Sequence, residues 1–493
     1  MSSIRLLMTM LSTGSLVAGV LGILENPTAA CQSLTVSLGA GKTATSMLDL
    51  RYIDSRNSYW NQKLNAHAPA CVVYPENTQD VSLALKAIKA TGSRFAIKAA
   101  GHNTNDLFSA VDGGVLIDLS HMNGKSYDES TTLATYEPGS TWGDLYGFYL
   151  QYGRTVVGGR VHDVGTGLAL GGGMSFLSPQ YGMACDSFRE LEVVLPSGDI
   201  VKASSTENSD LFFGLRGGGG NSYGVVTKYT VQSRPIGTLY AGNVLYALDH
   251  RERILNATRD FILYNTDPKA AILMNFNILS VPDLELGLDQ ACLMFLVYDG
   301  VNPGNAFANF TAIPHILNTL GPKTYLEVAN LPVPKVALLS RADNVFRIGV
   351  HRADDASYRT AFDRCYQWAQ DNKGDYTSLH LDYNPVAKSL TDASRSQGGN
   401  AMEMPDGPWF WAEYTLTTPP LITTEKYNQI QASFKAMVEG TPNAAGLPYF
   451  LNEAHVDQDA LKTFSSYPRL QQIKQKYDPD GFFASKTGGW SFS

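Results

Sequence analysis

Gly158-Gly159-Arg160-Val161-His162-Asp163-Val164-Gly165-Thr166-Gly167-Leu168-Ala169-Leu170-Gly171-Gly172-Gly173 and Gly217-Gly218-Gly219-Gly220-Asn221-Ser222-Tyr223-Gly224 decide how this chain is read. Upstream of both stands Lys98-Ala99-Ala100-Gly101-His102-Asn103. Glycine lets backbone approach a ligand with no side chain between, and it tolerates φ > 0. Three such turns within about 130 residues imply one large ligand gripped by main-chain amides. The Gly165-x-Gly167-x-x-x-Gly171 spacing misses the Rossmann dinucleotide fingerprint, and no strand–turn–helix unit with an acidic residue beyond it surrounds the segment. A P-loop is excluded, because no Gly-Lys-Ser/Thr follows a glycine and four spacer residues.

Around these turns lies an ordinary globular composition. The chain has 493 residues, 44% hydrophobic and 17% charged, enough for about two or three domains. Its net charge of −8 argues against nucleic acid or an anionic membrane as partner. Arg5 precedes an apolar run, Leu6 to Leu21, interrupted by Ser, Thr and Gly and followed by Thr28-Ala29-Ala30. Residues 1–25 therefore read as a signal peptide for secretion, too broken for a membrane anchor. Of five cysteines none has metal-ligand spacing, and no metal site is expected. An oxidising compartment favours pairing. Cys31–Cys71 is the expected disulfide, tying the mature N-terminus to the first domain. The sequons Asn256-Ala257-Thr258 and Asn309-Phe310-Thr311 fit a secreted glycoprotein.

Outward from the glycine turns, residues 60–235 alternate short strands and helices. Pro75 to Val81 opens a helix that Asn77 or Thr78 can cap. Phe95-Ala96-Ile97-Lys98 is a strand feeding the first turn, and Val115–Leu119, Glu192–Leu195 and Val225–Val231 are further strands. From 236 to 446 the apolar stretches Ala271–Ile278 and Cys292–Tyr298 predict a large antiparallel sheet. Helices over Tyr358–Asn372 and Tyr427–Glu439 would cover one of its faces, and Leu331-Pro332-Val333-Pro334 and Asn400 to Pro408 read as loops. Residues 447–493 carry a helical pattern, Leu470 to Tyr477. The class is α+β.

Pro75-x-x-Thr78-x-Asp80-Val81, Ala100-Gly101-His102, Gly158-Gly159, Gly171-Gly172-Gly173, Asp186 and Asp210-Leu211-Phe212-x-x-Leu215-Arg216-Gly217-Gly218-Gly219-Gly220-Asn221 form one set. Tyr449-x-x-Asn452, Tyr467-Pro468-Arg469-Leu470 and Ile473-Lys474-x-Lys476-Tyr477-Asp478-Pro479 complete it. Together they resemble the berberine-bridge-enzyme-like branch of the FAD-linked oxidases of the vanillyl-alcohol-oxidase (PCMH-type) fold, over about residues 60–235 and 447–485. The resemblance implies a split FAD-binding domain, 60–235 completed by 447–493, with 236–446 as the substrate domain. It implies FAD bonded through His102, with the amides of Ala100, Gly101 and Asn103 meeting the pyrophosphate. Lys98, Gly158, Val164, Gly165, Gly167, Gly171 and Gly172 would join the cradle. Gly220, Asn221, Gly224, Val225 and Val226 would close it, with Tyr449 and Asn452 beside the ring. Many relatives add a second bond from the Cys of Cys-Pro-Thr-Val-Gly. The matching stretch here is Val161-His162-Asp163-Val164-Gly165, so a single link through His102 is expected.

The same resemblance places the catalytic base on a strand facing the flavin, and Trp409-Phe410-Trp411-Ala412-Glu413-Tyr414-Thr415 is the best match. Glu413 and Trp411 would share one strand face and Tyr414 and Ala412 the other. Glu413 or Tyr414 is the candidate base, with His162 a second proton-transfer candidate. The expected reaction is oxidation of an alcohol or activated C–H of a small molecule, with hydride passing to flavin N5 and O2 leaving as hydrogen peroxide. The aromatics Trp409, Phe410, Trp411 and Tyr414 suggest an apolar or aromatic metabolite. An oligosaccharide oxidase, a flavin-templated cyclase or isomerase, and a flavin-binding protein without activity are the alternatives. Oligomeric state is not specified by the sequence.

Overall fold

A computed structural model describes residues 25–280, 290–331, 343–353, 356–490 and 492. The signal peptide expected over residues 1–25 lies outside it except for Glu25, as do Pro332, Val333 and Pro334 of the expected 331–334 loop. The helix Thr78–Thr91 starts where Asn77 accepts a hydrogen bond from the Asp80 amide, and stops at Gly92, whose left-handed backbone ends the turn. Its buried stripe of Val81, Ala84, Leu85 and Ile88 covers a four-stranded sheet in the order Thr43–Ala44, Cys71–Val73, Val115–Asp118, Phe95–Lys98. The last three strands run parallel. Residues before 60 join this lobe: the helix Pro27–Leu38 packs on the same core, and Thr43–Ala44 is an edge strand. The expected start at residue 60 therefore falls too late. Cys31 and Cys71 are disulfide-bonded as expected, and Cys185, Cys292 and Cys365 are buried free thiols.

A second sheet is antiparallel, in the order Lys125–Asp128, Leu133–Tyr136, Val225–Gln232, Phe188–Val194, Ile200–Ser204. The chain then enters a large antiparallel sheet, hereafter the roof. Its long strands lie in the order Leu239–Ala247, Gln290–Tyr298, Ala270–Leu279, Ser378–Val386, Trp409–Thr417, Asn344–Arg352. Side chains alternate across a strand, and the roof obeys this rule. Ile272, Met274, Phe276, Leu379, Leu381, Tyr383, Phe410, Ala412, Tyr414 and Leu416 point into one core. That core is covered by the helices Arg251–Tyr264, Ser357–Asp371 and Thr424–Glu439. The alternate residues face the two N-terminal sheets.

The tail returns to the first lobe. Phe482 and Phe483 each stack on or abut Phe95 at 5.3 Å between ring centroids. From the helix Tyr467–Tyr477, Lys474 Nζ donates to the Ser222 carbonyl at 2.6 Å and pairs with Asp478 at 2.7 Å. The second glycine turn is thus fixed from the tail. No helix among the described residues is long and apolar enough to cross a membrane.

Candidate active site

A cavity of about 730 Å³ lies between the N-terminal lobe and the roof. The strand Phe95–Lys98 ends at one wall and delivers Ala100, Gly101, His102 and Asn103. The segment carrying Val164, Gly165, Gly167 and Gly171 forms the floor beside it. A Cβ on Gly165 would meet Ala100 at 2.9 Å, so the two turns touch. Gly220, Asn221, Gly224, Val225 and Val226 close the far side, where Asn221 adopts φ +59° and donates to the Phe108 carbonyl at 3.1 Å. Asn452 clasps the floor: its Nδ2 donates to the Leu168 carbonyl at 3.0 Å and its Oδ1 accepts from the Gly173 amide at 3.3 Å. Three turns distant in sequence therefore enclose one space, as their glycine content implied.

Five expected site residues lie elsewhere. Lys98 is buried behind the wall, where Nζ donates to the Ser55 carbonyl at 2.6 Å and pairs with Asp118 at 3.2 Å. Gly158 makes room for Trp142, whose ring would lie 2.0 Å from an added Cβ. Gly172 serves a φ of +109° and packs against Met402. The Tyr449 hydroxyl accepts from Asn443 Nδ2 at 2.7 Å, away from the cavity. Tyr414 points into the helix-covered core, because its strand alternates and Glu413 takes the cavity side. The four aromatics read as a substrate wall are also displaced. Trp409 and Trp411 are sealed in a core, with Trp411 stacked on Phe450, and Phe410 sits with Tyr414. Trp60, Phe176, Phe295 and Phe346 line the space instead, Phe295 from the expected strand Cys292–Tyr298 and the others from segments not read as lining a site. His162 stands exposed at the rim.

A row of side chains crosses the roof above the floor. Strand register pairs Asn275 with Asp382, and Asp382 with Glu413. Asn275 Nδ2 donates to Asp382, and Thr415 Oγ1 donates to Glu413 Oε1 at 3.2 Å. Glu453, next to Asn452 on the returning tail, accepts from Asn384 Nδ2 at 3.0 Å and from Arg160 Nη2 at 3.3 Å. Burial pushes all three carboxyls up. Asp382 and Glu453 rise well above the ordinary carboxylate range, each raised further by the Glu413 charge. Glu413 rises too, opposed by Arg160 and by a hydrogen bond shared with Glu453. Glu413 is thus the less elevated carboxyl of a hydrogen-bonded pair, with Arg160 favouring its charged form. Nearby, burial pushes His380 down to about 4, so it is a neutral imidazole. Asp382, Glu453 and His380 had no motif to mark them, and Arg160 sat in the glycine segment without a role assigned to it. Only the roof's register and the tail's return bring them together.

Residues 69–204 match the FAD binding domain family, and residues 450–488 match the berberine and berberine like family. The chain is 33% identical over 467 residues to an uncharacterized FAD-linked oxidoreductase of Arthroderma benhamiae, across 89% of this chain and 90% of that one. It belongs to the berberine-bridge-enzyme-like FAD-linked oxidoreductases. A further relative, the bifunctional solanapyrone synthase of Alternaria solani, is 30% identical over 433 residues, 85% of this chain and 81% of that one. The fold is shared with the xylooligosaccharide oxidase of Myceliophthora thermophila, solved with xylobiose, at a TM-score of 0.74 and 19% identity over 92% of this chain and 98% of that one.

The cavity fits FAD. Gly167 lines it, and a Cβ there would meet no protein atom within 4 Å, so bare backbone faces the space directly. The His102 turn and the Gly165–Gly173 floor both fall within the FAD-binding match, and Glu453 and Asn452 fall within the berberine-like match. In this oxidoreductase the glycine turns present main chain to the cavity, the roof supplies Asp382, Glu413 and His380, and Glu453 and Arg160 come from the tail and the glycine segment.

Proposed function

We propose that this flavoenzyme is a secreted oxidase for a small apolar or aromatic molecule, acting on an alcohol or an activated C–H, with FAD tethered through His102 alone. The arrangement of Glu413 carries the reading: it is a buried carboxyl on the cavity face of the roof, beside Asp382 and opposite the cradle. Bound FAD supplies a two-electron acceptor at N5 that O2 can reoxidise with release of hydrogen peroxide. The protein's own residues do the rest. Glu413 takes the substrate hydroxyl proton, Thr415 orients its carboxylate, and Glu453 holds a neighbouring proton within the same hydrogen-bonded pair. Phe176, Leu273, Phe295, Phe346 and Trp60 give the substrate an apolar surround, and Asn275 and neutral His380 offer polar anchors.

The single tether follows from Val161, which stands where many relatives carry the second attaching Cys, and Val164 leaves a small side chain at the cavity for oxygen. Secretion is supported by the Cys31–Cys71 disulfide and by Asn309, an exposed sequon. Peroxide release and loss of the flavin's visible absorbance decide the substrate class. Turnover of aromatic alcohols with none of oligosaccharides supports the proposal. Rapid reduction by xylo- or chito-oligosaccharides alone overturns it, and a product of unchanged mass under anaerobic conditions would make the enzyme a cyclase or isomerase. Recovery of the protein from the medium, with a mobility shift on glycosidase treatment, tests the compartment.

A further inference from the structure

We infer that Asp163 is the positioning residue for His102: it holds the imidazole with its proton on Nε2 and its lone pair on Nδ1, making Nδ1 the atom that bonds the flavin. This rests on the reading that His102 is the tether. His102 Nε2 lies 3.6 Å from Asp163 Oδ2, in ion-pair range, with the two side chains 20% and 33% exposed. The opposite constraint is Trp60, whose ring stacks on the imidazole at 5.8 Å and 22°. The ring is thus clamped between an indole face and a carboxylate. A carboxylate at one nitrogen fixes which nitrogen keeps the proton. His102 first, and more weakly His162, hold the Asp163 carboxyl below its usual range against partial burial, so it is charged when it meets the ring. Asp163 belongs to Val161-His162-Asp163-Val164-Gly165, the stretch that has lost the second attaching Cys and that carries Asp where Cys-Pro-Thr-Val-Gly has Thr. The segment that no longer bonds the cofactor itself is placed to assist the residue that does.

One imidazole N–H and one 8α-methyl C–H bond break, and one Nδ1–C bond forms. Two protons and two electrons leave by way of the ring to dioxygen, which becomes hydrogen peroxide. Positive charge grows on the imidazole as Nδ1 attacks, and the Asp163 carboxylate at Nε2 stabilises it.

The test uses purified protein, with total flavin read from the visible spectrum and covalent flavin from the colour retained after acid precipitation. Asp163→Asn should keep total bound FAD. Its covalent fraction, followed in air with excess FAD, should grow about 10- to 100-fold more slowly. Asp163→Thr should behave like Asp163→Asn, and Asp163→Glu should recover most of the rate. Loss of all FAD binding in Asp163→Asn, with no slowing in Asp163→Thr, would mean a structural role and overturn the inference. So would attachment in Asp163→Asn as fast as in the wild type. His102→Ala separates the two claims. If it still retains acid-stable flavin, or if the wild type retains none, the tether reading fails and the role of Asp163 fails with it. If His102→Ala loses the link while Asp163→Asn does not, only the role of Asp163 fails.

Discussion

Glu413 and Tyr414 are adjacent in one strand and belong to different worlds. Glu413 faces a cavity with Asp382, Glu453 and Arg160, whereas Tyr414 is sealed among Phe410, Tyr383 and the covering helices. Around Glu413 the inner face of the roof holds charges whose burial is costly, with Trp409 and Trp411 packed into a core further along it, and the helix face holds rings whose burial stabilises. At Glu413 and Tyr414 the two-residue period of the strand thus sets chemistry on one side and cohesion on the other. Substitutions on the two faces should fail in different ways.

The largest effect is expected on the cavity face. Glu413→Gln removes the base without changing shape, and kcat should fall about 10²- to 10⁴-fold. The melting temperature should stay at or above that of the wild type, because a coupled buried charge is removed. Tyr414→Phe is the control one residue along, and its kcat should stay within about twofold, since a 1 kcal/mol packing change does not reach the reacting atoms. Stopped-flow flavin reduction reads both. If Tyr414→Phe slows reduction as much as Glu413→Gln does, the division between faces is wrong.

On the helix face, Phe410→Ala should cost about 3–5 kcal/mol of stability. Phe410 is fully buried and packs at 5.7 Å on both Tyr358 and Tyr383. Reduction rates per folded molecule should be close to normal. Denaturant unfolding followed by flavin release measures the first quantity. An undiminished midpoint would show that this core is not what holds the roof in place.

Away from both faces, the Cys31–Cys71 link spans 40 residues beside the first sheet. Replacing both cysteines by serine should cost about 2–4 kcal/mol and leave kcat untouched. A loss of flavin reduction in that variant would mean the first lobe's edge shapes the cradle, and the comparison would need a third party.

What the sequence disclosed follows the same line. The glycine turns, Asn77 as a cap, and the alternation that sets Glu413 against Tyr414 were readable because each depends on neighbours within a few residues. Lys98 misled because a lysine beside a ligand loop and a lysine buried against Asp118 look alike in one dimension. Trp409 and Trp411 misled because an aromatic run signals burial without saying against what. Asp382, Glu453 and Arg160 stayed invisible. They come from a roof strand, the tail and the glycine segment, and only the tertiary fold makes them a group.

Protons should separate the two faces by the smallest but most diagnostic effect. On the helix side of the edge strand, Arg347 Nη2 pairs with Asp457 at 2.6 Å, and His455, Arg347 and Lys435 hold that carboxyl far below its usual range despite partial burial. A depressed group lends stability above its unfolded pKa and loses it as pH falls toward the folded value. Asp457→Asn should therefore lower the melting temperature at neutral pH, flatten the acid side of the curve and converge on the wild type as pH falls. The cavity side has the opposite sign. Asp382 and Glu453 are raised by burial, so they lend stability below the ordinary carboxylate range and lose it as pH climbs through their elevated values. Glu453→Gln keeps a neutral donor in place and should make the folded protein less sensitive to rising pH, with a gain confined to the neutral and alkaline range. Melting temperatures of the wild type and both variants across pH check this directly. Parallel curves for all three would mean that the carboxyls under the roof are no more constrained than those at its edge, and the case for Glu413 as a tuned base would lose its physical footing.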